Sequence, residues 1–375
     1  MSNRRRRGRV HWSLVGFLLV AGCATAPPAE PPAPPAAESM PVEEPPAPAA
    51  ARGPITIAAV GDIMLGTDYP ENHLPDDDGV SFLAEVTPVL QAADIAFGNL
   101  EQVLVDGGEP GKQCENPAAC YLFRSPTRYA QHLSAAGFDV LSLANNHARD
   151  FGEEGRSSSM RALDEVGILH SGREGDVASW EQDGLRVAMI AYSPTIGSHS
   201  LLDVDLAAGQ VSSLALDHDI VMVSFHGGAE GVDATRLPFG EEFYYGEARG
   251  NVVEFAHAVM DAGADLVLGH GPHVPRALEI YEERLVAYSL GNCATYYGIS
   301  VEGLKGVAPI LLATLDGEGR FLHGQIVSNV QVRPGGPQPD PAQHALALMR
   351  SLTGEAFGAG ELRFDCDGSF RVGGG

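Results

Sequence analysis

The chain has 375 residues, of which 49 are Asp or Glu and 24 are Lys or Arg, so its formal net charge is −25 at pH 7. A chain this acidic repels phosphate backbones and anionic headgroups, which excludes nucleic acid and anionic lipid surfaces as partners. The same acidity is compatible with cation binding, although a solvated acidic surface is its commoner cause.

Residues 1–23 have the pattern of a lipoprotein signal peptide and lipobox. Five arginines in the first ten residues precede a short apolar stretch from Ser13 to Ala21, which is too short for a stable transmembrane span. The segment VAGC resembles a lipobox, in which Cys23 is acylated and becomes the new N-terminus. Cleavage after Ala26 is the alternative and would give a periplasmic or secreted protein. Twin-arginine export is disfavoured because its flanking pattern is missing.

Residues 24–53 are nearly all Pro, Ala and Glu. This composition buries too little apolar surface to offset chain entropy, so it predicts an extended spacer with polyproline character. Such a spacer would hold a domain away from a membrane that it contacts through the lipid anchor only. Ala24 is not the acidic residue that retains lipoproteins in the inner membrane, which favours the outer membrane.

Four further cysteines follow the lipobox, and an exported chain meets an oxidising compartment. Cys114 and Cys120 are close enough to staple a Gly/Pro-rich loop, and a bond between Cys293 and Cys366 would join the C-terminal tail to the core. Four cysteines allow three connectivities, among which the sequence does not decide. None has the CxxC spacing of a metal site.

Residues 54–333 alternate short apolar runs with helical patterns, which predicts one α/β domain. The runs are short and rich in Val, Ile and Ala, as buried strands are. They lie at Ile55–Val60, Ala93–Phe97, Val140–Ala144, Val187–Ala191, Ile220–Phe225 and Leu266–Leu268. Their alternation with helices indicates parallel pairing in part of the sandwich.

A helix is predicted at Glu247–Ala262, where four apolar residues fall on one helical face. After Ala277 the pattern changes to consecutive strands joined by turns, which predicts an antiparallel segment. These strands are Leu278–Tyr281, Leu285–Tyr288, Ile310–Leu315 and Phe321–Val332. Residues 334–375 begin with a Pro/Gly run and hold one predicted helix, Ala342–Leu352, so we expect a peripheral appendage.

Polar residues follow the C-terminal ends of five predicted strands, the edge at which open α/β sheets place their ligands. Each residue alone is equally typical of a turn or a surface position, but five coincident placements indicate a shared site. Imidazole, carboxylate and amide groups hold divalent Mn, Fe or Zn. The five segments are GD (61–62), GNLE (98–101), NNH (145–147), HGGAE (226–230) and GHGPH (269–273).

The ordered motifs VGDIMLG, FGNLE, LANNHARDFG, SFHGGAEG, GADLVLGHGPHV and VAYSLGN resemble the CapA family of bacterial capsule synthesis, also called the poly-γ-glutamate synthesis family. The resemblance covers residues 55–332. That family looks like an offshoot of the calcineurin-like metallophosphatases. It therefore implies a metallophosphatase-like four-layer α/β/β/α sandwich with mixed sheets for residues 54–333.

In metallophosphatases the corresponding residues hold two metal ions, and the resemblance assigns ligands residue by residue. The implied ligands are Asp62 and His273 for the first ion, Asn146, His226 and His270 for the second, and Asn99 or Glu101 as the bridge.

The resemblance also assigns residues beside the substrate. His147 would act as a general acid or as a donor that stabilises an oxyanion. Asp150 and Glu230 would orient histidine and backbone groups. Arg124 matches a family stretch, LFRSP, and is expected either to reach the pocket or to be an ordinary surface arginine.

Three features depart from the metallophosphatase pattern. Met64 stands where a histidine ligand is expected, and a thioether is a poor ligand for these ions. Asn99 stands where an acid is expected, with Glu101 as its replacement two residues later. The last motif is one residue longer than Gly-His-x-His. These departures predict one divalent ion bound tightly and a second bound weakly or not at all.

The sequence is compatible with three functions. The first is a metal-dependent, phosphoesterase-like hydrolase or a transferase that acts on an envelope polymer. The second is a non-catalytic export or attachment factor that binds an anionic polymer through a metal or arginines. The third is an inert scaffold. The expected partners are an anionic envelope polymer or its synthesis machinery, in capsule or poly-γ-glutamate synthesis or export.

We expect Cys23→Ser to move the protein from the membrane fraction to the soluble fraction, because the thiol that would carry the lipid is lost. Cell fractionation followed by immunoblotting measures this change. Unaltered membrane association of the variant would contradict the lipid anchor.

Overall fold

The computed structural model describes residues 53–112 and 121–373. Cys23, Cys114 and Cys120 lie outside these residues, so lipidation and any bond to the last two stay predictions. Cys293 is a buried free thiol and Cys366 an exposed one. All described residues belong to one compact unit. None of its helices combines the length and apolarity that a bilayer crossing requires.

Six α-helices and twenty-one strands occur in this described part of the chain. The helices are α1 Thr87–Leu90, α2 Ala130–Ala136, α3 Gly152–Asp164, α4 Val204–Asp217, α5 Val252–Asp261 and α6 His344–Phe357. The strands are β1 Ile55–Met64, β2 Ile95–Leu100, β3 Val103–Leu104, β4 Arg124–Ser125, β5 Val140–Ser142, β6 Leu169–Ser171, β7 Ala178–Gln182, β8 Leu185–Ser193, β9 His199–Ser200, β10 Ile220–His226, β11 Glu242–Tyr244, β12 Glu247–Gly250, β13 Leu266–His270, β14 Leu278–Tyr281, β15 Arg284–Ala287, β16 Asn292–Thr295, β17 Val307–Leu315, β18 Phe321–Gln331, β19 Pro337–Pro339, β20 Leu362–Phe364 and β21 Ser369–Val372.

Two large mixed sheets form the centre of the unit. The first has the order β20-β21-β18-β17-β1-β2-β5-β6, with β16 paired to β1 and β19 to β18. Its β1, β2, β5 and β6 run parallel, whereas β17 and β18 pair antiparallel. The second has the order β14-β15-β13-β10-β8-β7, with a parallel centre and antiparallel edges. The predicted change from parallel to antiparallel pairing is therefore present.

Four layers follow from the alternation of side chains along the strands. Successive residues of a strand point to opposite faces of its sheet. In β1, Ile57 joins a core shared with β10 and β13 of the second sheet, whereas Val60 packs with α1, α2 and α3. In β10, Met222 joins the same shared core, whereas Val223 packs with α4 and α5. The expected α/β/β/α arrangement is confirmed.

The predicted helix at Glu247–Ala262 is wrong in its first turn. Residues Glu247–Gly250 form β12, which pairs with β11 as a hairpin, and α5 begins only at Val252. The side chain of Asn251 accepts a hydrogen bond from the Glu254 amide and so caps the helix. The apolar helical period also starts at Val252, which leaves the preceding residues free to pair as a strand.

Residues beyond 333 take part in the first sheet. Strand β19 pairs with β18, and β20 and β21 extend the edge of the sheet. Helix α6 buries Ala345, Leu346 and Met349 in the core between the sheets. The domain boundary at residue 333 stays a prediction.

The fold brings the C-terminal ends of β1, β2, β10 and β13 together. The register of β1 against β2 shifts between Ala59 and Asp62, which re-aims Asp62. Gly61 makes this possible, because a Cβ there would lie 2.0 Å from the Gly291 carbonyl oxygen. The Asp62 amide donates to the same carbonyl at 2.9 Å. The polar strand ends therefore meet in a fixed geometry.

His170 on β6 lies between two acids, and its charge contributes to the stability of the fold. Its Nδ1 donates to Asp176 Oδ2 at 2.9 Å, and its Nε2 lies 3.3 Å from Asp164 Oδ1. Burial lowers the pKa of His170, but the bonds and charges of these two acids outweigh it and raise the pKa above its ordinary value. The charged ring therefore stabilises the fold below its ordinary pKa of about 6.5, and this contribution is lost as pH rises through the raised pKa.

We expect His170→Gln to lose this part of the pH dependence, because glutamine does not titrate. Urea unfolding of wild type and variant across the neutral to alkaline range measures it: the stability difference should be largest at the acidic end and shrink as pH rises. His323→Gln, at an exposed position of β18, is the matched control. A difference independent of pH would show that His170 contributes no charge.

Candidate metal centre

Three buried side chains converge where the two sheets meet. Asp62 of β1, Glu101 just after β2 and His226 at the end of β10 each offer a ligand atom, and these atoms lie within 4.8 Å of one another. All three are at most 1% exposed. Two carboxylates and an imidazole in this geometry are a typical donor set for a divalent transition ion.

Several polar atoms of this cluster have no hydrogen-bond partner. Both carboxylate oxygens of Glu101 and Nε2 of His226 are buried and unpaired in the described part of the chain. Buried polar groups are nearly always satisfied, because each unpaired one costs about 1–3 kcal/mol. A cation bound between them would satisfy these atoms at once, so the residues present fit a divalent metal.

A chain of amides fixes Asp62 from one side. Asn99 Nδ2 donates to Asp62 Oδ1 at 2.8 Å and lies 3.4 Å from His226 Nδ1. Asn145 Nδ2 in turn donates to Asn99 Oδ1 at 3.1 Å and to the Leu100 carbonyl at 2.9 Å. Asn99 therefore holds the carboxylate in place through its amide.

His273 fixes Asp62 from the other side. Its Nδ1 lies 3.0 Å from both Asp62 Oδ2 and Asn292 Oδ1, and its Nε2 lies 3.8 Å from Glu230 Oε2. Its backbone has φ of +57°, a strained conformation for a residue with a side chain and one that clusters at functional sites. His273 is thus placed by its acid contacts, and its role as a metal ligand stays a prediction.

The pKa values of the cluster move in opposite directions. Burial lowers the pKa of His273, but the charges of Glu101 and Asp62 raise it to about 10. Burial raises the pKa of Asp62, but its bond to His273 and the charges of the histidines lower it to about 2. Burial and the Asp62 charge raise the pKa of Glu101 well above its ordinary range. Burial lowers the pKa of His226 far enough to keep the ring neutral, the state in which histidine binds metals.

His270 lies beside this cluster, and Asn146 directly follows Asn145 in the chain. His270 ends β13 directly beside His226 in the parallel register, and its Nε2 lies 3.1 Å from the Val60 carbonyl oxygen. When Nε2 donates to that carbonyl, Nδ1 carries the free lone pair. His270 Nδ1 and Asn146 Oδ1 are both buried without a partner in the described residues. Their predicted roles as ligands stay predictions.

His147 is held by Asp150 at the side of the cluster. Its Nδ1 lies 2.7 Å from Asp150 Oδ2, and its Nε2 lies 4.0 Å from Glu101 Oε1. Asp150 Oδ2 also accepts from the Phe123 amide at 2.8 Å, and Asp150 Oδ1 lies 3.3 Å from Lys112 Nζ. Burial lowers the pKa of His147 despite the charge of Asp150. The neutral ring therefore donates through Nδ1 and leaves Nε2 free to accept a proton.

Of two further predicted site residues, Arg124 makes its main contacts elsewhere, whereas Glu230 faces His273. Arg124 Nε donates to Asp68 Oδ1 at 2.6 Å, and its guanidinium lies about 5 Å from the rings of Tyr69 and Phe151. Glu230 Oε1 accepts from Arg249 Nη2 at 2.8 Å, which aims its other oxygen at His273. The role of Arg124 at the site stays a prediction.

Met64 lies in an apolar cluster instead of at the donor set. It is fully buried and packs with Phe123 and Ile299. A histidine at this position would need to displace that packing. Where the metallophosphatase pattern has a histidine ligand, this chain therefore has an apolar side chain packed against apolar neighbours.

Sequence reasoning missed several residues of the site. Asn145, Asn292, Arg249 and Lys112 received no role, although each contacts a predicted site residue. Asn292 closes the quoted motif VAYSLGN, and Asn145 directly precedes Asn146, so their motifs carried a signal. The sequence gives no such signal for Arg249, because its pattern predicts a helix where the hairpin lies.

Residues 56–297 match the model of the family described as bacterial capsule synthesis protein PGA_cap. The chain belongs to this family. Capsule biosynthesis protein CapA of Bacillus anthracis is 27% identical over 252 residues, which cover 64% of this chain and 59% of that protein. PGA biosynthesis protein CapA of Bacillus subtilis is 25% identical over 342 residues, covering 85% and 84%. The match thus spans less than two thirds of the first relative and most of the second.

Two solved structures are also similar. A 5'-nucleotidase precursor from Thermus thermophilus has 13% identity and a TM-score of 0.42, covering 80% of this chain and 58% of that chain. A purple acid phosphatase from yellow lupin has 10% identity and a TM-score of 0.33, covering 72% and 53%. The architecture of the present chain rests on its own sheets and layers.

We expect the purified protein to hold one divalent ion tightly and a second weakly, and His226→Ala to lose the tight ion while keeping its fold. The alanine removes an unpaired ligand atom from the three-residue cluster. Elemental analysis after dialysis measures the ions per chain, and circular dichroism checks the fold. His323→Ala is the matched control. Two tightly held ions in the wild type, or none, would contradict the assignment.

Proposed function

We propose that this protein is a metal-dependent hydrolase or transferase that acts on an anionic envelope polymer in capsule or poly-γ-glutamate synthesis. The observation that carries the proposal is the buried trio Asp62, Glu101 and His226, whose unpaired atoms fit a divalent cation. Family membership supports the pathway, since the relatives are named for capsule and PGA biosynthesis. The lipobox at Cys23 and the following spacer support a lipid-anchored position in the cell envelope.

Asp62, Glu101 and His226 would hold the ion, and a bound divalent ion supplies Lewis acidity that polarises a phosphoryl or amide oxygen. The surrounding residues make this arrangement rigid. Asn99 and His273 each bind one oxygen of Asp62, which fixes the orientation of the carboxylate. The whole trio is buried away from bulk water. Electrostatic contacts in such a water-excluded site are stronger than at the protein surface.

His147 is placed to move a proton at the edge of the trio. Asp150 binds its Nδ1 and so fixes the ring with Nε2 towards Glu101. A buried, neutral imidazole in this orientation accepts a proton from a nucleophile and returns it to a leaving group. Lys112 and the Phe123 amide both contact Asp150, so the orienting carboxylate is itself held in place.

A second candidate is a non-catalytic factor that binds metal and polymer for export or attachment. It is favoured by one observation, the apolar packing of Met64 with Phe123 and Ile299 where the metallophosphatase pattern places a histidine ligand. Without that ligand a second ion would be held weakly, which favours a role in binding the polymer over two-metal hydrolysis.

We expect His147→Asn to lower hydrolysis by about 100-fold or more, because general acid–base groups contribute factors of this order. Release of nitrophenol from a generic phosphodiester with added manganese, and shortening of poly-γ-glutamate on gels, measure the activity. The metal content should not change. His323→Asn is the matched control. If the metal-loaded wild type binds the polymer but cleaves neither substrate, the hydrolase proposal is wrong and the non-catalytic binding factor takes its place.

A further inference from the structure

A cavity of about 510 Å³ lies in the C-terminal part of the unit, beyond the residues that match the family model. It is formed by the C-terminal half of α6 and by the hairpin of β20 and β21. Three arginines and one acid line it, namely Arg350, Arg363, Arg371 and Asp365. The lining residues therefore carry more positive than negative charge, in a chain whose net charge is −25.

The two strands place like charges directly opposite each other. Arg363 of β20 and Arg371 of β21 are partners in the antiparallel register. Side chains in such pairs stand about 5 Å apart at Cβ, and like charges there are destabilising unless something neutralises them. Asp365 Oδ2 lies 3.2 Å from Arg371 Nη1 and neutralises one of the two. The charge of Arg363 is left uncompensated within the pair.

Arg350 and Arg363 also have no acid partner in the described chain, although acids outnumber basic residues two to one. Most other described arginines are bound to a carboxylate, as Arg124 is to Asp68 and Arg276 is to Glu242. Each of these guanidinium groups presents a planar fork of N–H donors, which is suited to carboxylates and phosphates, and both line the same cavity.

We propose that this cavity binds a segment of a polycarboxylate chain and so forms a second polymer-binding site. This step rests on the proposed function, which makes an anionic envelope polymer the substrate class. The volume is in the range of cavities that take ligands much larger than a single oxyanion. Three residues of the wall, Gly354, Gly358 and Ala359, have small side chains or none, which leaves room for the backbone of a polymer.

The test uses the full chain and fluorescently labelled poly-γ-glutamate at low ionic strength, because surface charge contacts are screened by salt. We expect Arg350→Gln with Arg363→Gln to weaken binding by about tenfold or more, since two charge-assisted contacts are lost. The matched control is Arg161→Gln with Arg186→Gln, which removes the same charge from two exposed positions outside the cavity. Asp365→Asn should strengthen binding, because it frees Arg371 for the ligand.

Each outcome decides the proposal. Weakening confined to the cavity variant, with tighter binding by Asp365→Asn, supports it. No binding by the wild type, equal losses in the cavity variant and its control, or no loss in either would overturn it. Inorganic phosphate that displaces the polymer where an equal ionic strength of chloride and glutamate does not would also overturn it, in favour of a phosphate site.

The proposed function is read separately in the same samples. Metal content and phosphodiester cleavage should be unchanged in the cavity variant, because none of its residues belongs to the metal centre. If the protein cleaves the phosphodiester but its polymer binding does not depend on Arg350 and Arg363, only the cavity proposal is wrong. If polymer binding depends on these arginines but no cleavage is detected, only the hydrolase proposal is wrong.

Discussion

The site and the strand ends around it are organised around two buried carboxylates, Asp62 and Glu101, whose ligand atoms lie within 4.8 Å of each other. Like charges in a dry interior repel strongly, and each carboxylate loses its hydration. His273 compensates Asp62, and the unpaired oxygens of Glu101 are left for a cation. The register shift in β1, the close glycine contact at Gly61 and the strained backbone of His273 all serve to hold this arrangement.

The sequence predicts the location of the site better than its internal contacts. Strand ends can be found from apolar runs, so the convergence of Asp62, Glu101 and His226 was predictable from topology. The division of the ligands between two ions stays a prediction, since the observed trio takes Asp62 from one set, His226 from the other and Glu101 from the bridge. Which atoms meet depends on a bulge in β1 that leaves no periodic signal in the sequence.

The contributions of Asn292 and Arg249 show where sequence reasoning stops. Asn292 closes a recognisable motif, but its contact with His273 depends on the parallel pairing of β16 with β1, which joins distant segments of the chain. Arg249 sits on β12, whose residues Glu247, Ala248 and Arg249 favour a helix in isolation. The sequence therefore predicts a helix there and gives no reason to pair Arg249 with Glu230. Long-range geometry, and not residue type, separates these from the residues that were found.

The two sheets contribute different ligands, Asp62 and Glu101 from the first and His226 from the second. An ion held by all three residues would link the two sheets directly. Because such an ion binds only the folded state, it adds stability that grows with the logarithm of the free metal concentration. The lifetime of the folded protein would then follow the supply of that metal. Starvation for the metal would weaken the contact between the two sheets as well as empty the site.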